Sequence, residues 1–157
     1  MRKAIVFVIL LLASALAYAK ESPKIETGKI EGFTEVRPGT YRIGEDLQAM
    51  AEWFPPEQYN APKFFKEVVT KKYEEKKKEL RDAVLKVDRL DEKINVEGVN
   101  GCGFSLVGEM KEGLVVVEYY WLRVGGETAK VMIMGNSKTY EANKDKIREF
   151  LRSLKVK

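Results

Sequence analysis

The chain has 157 residues, 45% hydrophobic and 33% charged, with no histidine, one cysteine and a formal net charge of +4. That length suits one domain that buries a proper core without staples. The missing histidine excludes Ser-His-Asp and Cys-His triads, His-ligated zinc or haem and the usual neutral-pH proton shuttle, and one cysteine excludes an internal disulfide, a CxxC pair and Cys-rich metal sites.

Met1-Arg2-Lys3 is a short basic start, Ala4 to Leu16 an apolar run, and Ala17-Tyr18-Ala19 an A-x-A end followed by Lys20. This is the three-part layout of a secretory signal peptide. An uncleaved anchor fits less well, because the run is short of the roughly 20 residues a span needs. Cleavage after Ala19 is therefore expected, giving a periplasmic or extracellular protein with no stable membrane anchor. The mature chain would keep 138 residues, with 26 basic against 24 acidic, a net +2. Nucleic-acid binding needs a concentrated basic face, and none is evident. Nineteen Glu and twenty Lys against five Asn and two Gln give a thermophile-like composition.

Residues 20–38 are polar, with Pro23, Gly28 and Gly32, and suggest a flexible N-terminal arm ahead of a single domain over 39–157. Thr40–Phe54 is ambiguous: Leu47, Met50, Ala51 and Phe54 have helical spacing, while Ala49, Ala51 and Trp53 alternate like a strand. Pro55-Pro56 ends either element. Asn60-Ala61-Pro62 predicts a helix start, and Phe65, Val69, Tyr73, Leu80 and Val84 the apolar stripe of a helix of about 20 residues. The charges of Lys71–Asp82 fit a solvated helix face.

From Lys86 the pattern becomes β. Val87 to Val96 suggests a long or broken strand, and Gly103–Met110 a second, with Phe104 and Leu106 opposite Val107. Lys111-Glu112-Gly113 is a turn. In the third strand Leu114, Val116, Tyr120, Leu122 and Val124 face one way, Val115, Val117, Tyr119 and Trp121 the other. A strand apolar on both sides belongs mid-sheet with packing on each face. Gly125-Gly126 turns the chain into a returning strand over Thr128–Met134, and Tyr140, Ile147, Phe150, Leu151 and Leu154 predict a C-terminal helix. The expected fold class is α+β, an antiparallel meander sandwiched between a long central helix and a C-terminal helix.

The segment "INVEGVNG" over Ile94–Gly101, the hairpin Leu114–Met134 and the ending "TYEANKDKIREFLRSLKV" resemble the PsbP/DcrB-like family. Tyr140, Asn143 and Ser153-Leu154-Lys155 take the places of that family's closing helix and tail. The resemblance implies an antiparallel sheet between helices and a binding or assembly factor rather than an enzyme. It carries no metal ligand over to this chain.

Cys102, between Gly101 and Gly103, could be a reactive thiol, but no histidine can activate it; a buried small hydrophobe at a strand start fits better. Asp88, Asp91, Glu92 and Glu97 lack the spacing of an EF-hand and suggest surface charges bordering a strand. Neither Gly101-x-Gly103 nor Gly125-Gly126 has a phosphate-loop context. The aromatics carry more weight. Trp53, Tyr59, Tyr119, Trp121 and Arg123 are the candidate binding residues, since Trp, Tyr and Arg are the usual interface anchors. No catalytic, metal or cofactor site is expected. The leading expectation is an exported, non-enzymatic partner-binding or envelope-assembly factor. The alternative is a carrier holding a small apolar ligand between sheet and long helix, which requires a sizeable apolar cavity.

Overall fold

A computed structural model describes residues 22–157, so the expected signal segment Met1–Ala19 lies outside the described residues. Seven strands form one antiparallel sheet: β2 (Phe33–Arg37), β3 (Thr40–Ile43), β4 (Leu47–Phe54), β5 (Val84–Val96), β6 (Val99–Met110), β7 (Gly113–Val124) and β8 (Glu127–Asn136). Their spatial order is β2-β3-β4-β8-β7-β6-β5. The long connection from β4 to β5 carries the first helices and lets the β5–β8 meander return beside β4. Two short strands, β1 (Ile25–Glu26) and β9 (Lys155–Val156), pair antiparallel outside the main sheet.

The ambiguous Thr40–Phe54 stretch is a hairpin of two strands, β3 and β4. Leu47, Ala49 and Ala51 are buried while Gln48 and Glu52 are exposed, the two-residue period of a strand with one core face. Within the expected arm of residues 20–38, the described part, residues 22–38, is more tightly held than a flexible arm. From Pro23 onward the stretch contains β1 and β2, and Ile25 and Ile30 are buried. What ties Ile25 down is Val156, paired with it from the far end of the chain.

The expected 20-residue helix is shorter and differently wound. Pro56 opens a one-turn helix, α1 (Pro56–Tyr59), and Asn60 closes that helix rather than capping the next. The main helix, α2, is a π-helical turn, Phe65–Thr70, running on into α-helical Lys71–Glu79. Its 15 residues therefore do not make a long central helix. A π turn brings residues five apart above one another, so buried Phe64 shares a face with Val69 where 3.6-residue winding predicts Phe65. Val84 is off the helix altogether, 71% exposed at the start of β5.

At the C-terminal end the single expected helix is two. Asn136 caps α3 (Ser137–Ala142), its side chain accepting from the Lys138 and Thr139 amides at 2.8 and 3.3 Å. Asn143, with φ of −114°, breaks the helix before α4 (Lys144–Arg152).

Both faces of the sheet are buried, as β7 requires. Val116, Tyr120, Leu122 and Val124 pack with Ile147, Phe150 and Leu151 of α4. Val117, Tyr119 and Trp121 pack on the opposite side with Val69 and Tyr73 of α2. Among the described residues no helix is long and apolar enough to cross a membrane.

Candidate functional site

The aromatic face beneath α2 is largely filled. Phe104 stacks on Tyr119 with ring centroids 5.1 Å apart, Tyr73 meets Phe104 edge-on at 5.7 Å, and Phe64 meets Trp121 edge-on at 6.1 Å. Such offset and edge contacts suit the ring quadrupoles. Tyr119 and Trp121 are therefore core residues, 4% and 1% exposed. The Trp121 indole nitrogen is buried with no hydrogen-bond partner among the described residues.

Packing loosens at one end of this face. There α1, the π turn and a bulged stretch of β5 between Asp91 and Ile94 border a groove of about 680 Å³. Tyr59, Phe64 and Phe65 supply its aromatic wall; Asn95 and Asn100 supply amides, and Glu92 and Lys93 opposite charges. Arg123 stands at the same groove. Its Nη1 donates to Thr128 Oγ1 at 2.8 Å and its Nη2 to the Gly126 carbonyl at 3.1 Å. Its guanidinium carbon lies 5.0 Å from the Tyr59 ring centroid, a cation–π contact. Two hydrogen bonds and one stack hold the planar charge in place.

Cys102 also borders the groove but is only 4% exposed. Burial, with the nearby Glu92 charge, pushes its thiol up to about 11, so it stays protonated near neutral pH. The flanking glycines have a packing cause. A Cβ at Gly101 would run into the Trp121 carbonyl oxygen, and one at Gly103 into that of Tyr119. Strands β6 and β7 approach too closely there for a side chain. Tyr59 is held above its ordinary value, first by partial burial and then by Cys102, against the Arg123 charge. Among the described residues no cluster of three or more His, Cys, Asp or Glu is placed to hold a metal ion.

Of the five candidate residues, then, Tyr59 and Arg123 meet at the groove, and Trp121 and Tyr119 lie in the packed core beside it. Trp53 is on the opposite face, packed against the other core cluster, with its Nε1 donating to Glu127 Oε2 at 2.9 Å. Strand alternation already separates them, since Arg123 follows Trp121 by two residues whereas Trp53 follows Ala49 and Ala51.

Glu118 escaped the sequence reading. It is 6% exposed in the middle of β7 and accepts from Ser105 Oγ at 2.9 Å, while the Tyr120 and Tyr140 hydroxyls approach the same carboxyl. Burial raises its pKa against those hydroxyls and the Lys144 charge. The signal was present: one glutamate in a run, Leu114 to Leu122, that is otherwise apolar on both faces. No family model, curated protein or solved structure matches the chain.

Proposed function

We propose that this chain is an exported, non-enzymatic partner-binding or assembly factor of PsbP/DcrB-like type, engaging its partner through the groove beside α1 and the π turn. The observation that carries this reading is Arg123, fixed by Thr128 and Gly126 and stacked on Tyr59 at the edge of an aromatic wall. A preorganised Arg-aromatic anchor lowers the ordering cost of binding, and such residues dominate interface energetics. The carrier alternative gains from the groove's volume, which falls within the roughly 300–1,000 Å³ of small-molecule sites. It loses from the filled interface between sheet and α2, where Val69, Phe104 and Leu106 are fully buried. The signal layout at Met1–Ala19 supports export.

The experiment selects a random peptide library against the chain and measures the selected peptides on variants. Arg123→Ala and Tyr59→Ala should each weaken binding by roughly tenfold or more, while Val36→Ala, on the exposed edge strand β2, should leave it unchanged. Peptides indifferent to both groove substitutions would place binding elsewhere. Native mass spectrometry of the purified protein separates the two readings, because a retained apolar molecule would favour the carrier.

A further inference from the structure

The other face of the sheet holds a polar cavity that shares only Asn95 with the groove. It encloses about 410 Å³ between β5, β6 and β7 below and α3 and α4 above, with Glu118 among its lining residues. Every hydrogen-bond partner of the Glu118 carboxyl is a neutral hydroxyl: Ser105 at 2.9 Å, with Tyr120 and Tyr140. None of the ion pairs among the described residues includes it. An ionised carboxylate in that position has no ion-pair partner, only the more distant Lys144 charge, to offset its burial.

Cations also line the cavity, in its more exposed parts. The Arg89, Lys144 and Arg148 side chains are 61%, 46% and 48% exposed. Arg89 lies in the same cross-strand row as Glu118, through Ser105, two strands away. Each cation has an acidic surface partner: Asp91 at 2.9 Å, Glu141 at 3.3 Å and Glu97 at 3.3 Å. The Arg89 and Lys144 pairs are largely solvated, hence weak and open to competition, whereas Glu97 is 21% exposed and also held by Arg152. Val87, Val107, Ile147 and Leu151 supply apolar wall.

A buried carboxyl without an ion-pair partner, with exposed cations around it, suits a ligand that carries both charges. Three acids, Glu97, Glu118 and Glu141, and three cations line the cavity, so neither a simple cation nor a simple anion would meet charge of one sign alone. We propose that this cavity binds an amino-acid zwitterion, with its ammonium group on Glu118 and the tyrosine hydroxyls and its carboxylate toward Arg89, Lys144 and Arg148. The volume suits a compact ligand, and the aliphatic wall suits an aliphatic side chain.

Titration calorimetry on the purified protein tests this with four probes. L-leucine and γ-aminobutyrate are zwitterions of different charge separation; isovalerate lacks the ammonium group and isoamylamine lacks the carboxylate. At least one zwitterion should bind at submillimolar concentration, with both truncated analogues weaker by tenfold or more. Glu118→Gln should weaken the zwitterion by at least tenfold while leaving peptide binding at the groove unchanged, so the two sites fail independently. No zwitterion binding at millimolar concentration overturns the proposal, as does equal binding of isovalerate or unchanged binding by Glu118→Gln. If that variant does not fold, the analogue series on the parent decides alone.

Discussion

Glu118 titrates in the sense opposite to a salt-bridged surface acid, because burial favours its neutral form in the fold. Between the ordinary carboxyl value and the raised one, the native chain keeps a proton that the unfolded chain has released. Its contribution is thus fully present below the ordinary value and lost as pH rises through the raised one. Of the facing groups, the Tyr120 and Tyr140 hydroxyls are pushed further above their ordinary 10 and keep their protons in that window, and Arg89, Lys144 and Arg148 are common to parent and variant. Glu97 and Glu141 also face the cavity and are common to parent and variant. Glu118→Gln should therefore gain stability relative to the parent as pH rises from 4 to 8, read from unfolding midpoints. A difference that stays flat with pH would contradict the assignment. Cys102 gives a second expectation. With its thiol near 11 and 4% exposed, it should react with a thiol reagent at pH 7 far more slowly than in denaturant. Cys102→Ala should cost about 0.5–3 kcal/mol of stability, as buried truncations commonly do, and leave peptide binding intact.

Strand β7 is the element on which the architecture turns. Val116 and Val117 are 0% and 7% exposed, yet belong to core clusters on opposite faces. An aspartate at either position buries an unpartnered charge, so each substitution should cost several kcal/mol, a large part of a typical domain's 5–15. Denaturant midpoints of Val116→Asp and Val117→Asp should both fall severely; one severe and one negligible loss would mean a sheet covered on one side. The helix opposite is decided by its π turn. Phe64→Ala should cost about 3–5 kcal/mol, because its ring packs against Phe54, Tyr59 and Trp121. Phe65→Ala should cost less, since that ring is half-buried beside the groove. Equal losses would show that the regular helical spacing holds after all.

At the scale of the whole molecule, the ends of the described chain are closed on each other. Lys24 and Lys157 exchange backbone hydrogen bonds at 3.3 and 2.9 Å, and Lys157 Nζ lies 3.2 Å from Glu26. The pairing buries Ile25 in the same cluster as Leu154 beyond α4. A chain beginning at Thr27 should lose about 2–3 kcal/mol, the value of one buried isoleucine, and melt several degrees lower. A melting temperature unchanged by this truncation would show that the strand pair adds nothing.

The periodicities by themselves determined the β5–β8 meander, the two-faced character of β7 and the apolar stripe of α4. Those patterns are local, written in alternations of two or in helical spacing, and burial on both faces leaves the same mark in any surroundings. Only the tertiary structure decided the rest. Leu47–Phe54 is strand because β8 pairs with it along its whole length, a partner about 80 residues away that no local window contains. Ile25 is fixed by Val156 for the same reason. The π turn escaped because its wider winding breaks the 3.6-residue period used to find helices. Tyr59 and Arg123 were legible as anchors by residue type, but their meeting depends on α1 folding back over the β7–β8 end of the sheet. Trp53 belongs to the opposite face, and Glu118 was visible as an acid in an apolar strand. Its hydroxyl partners came together only when α3 laid Tyr140 over β7 beside Ser105 of β6.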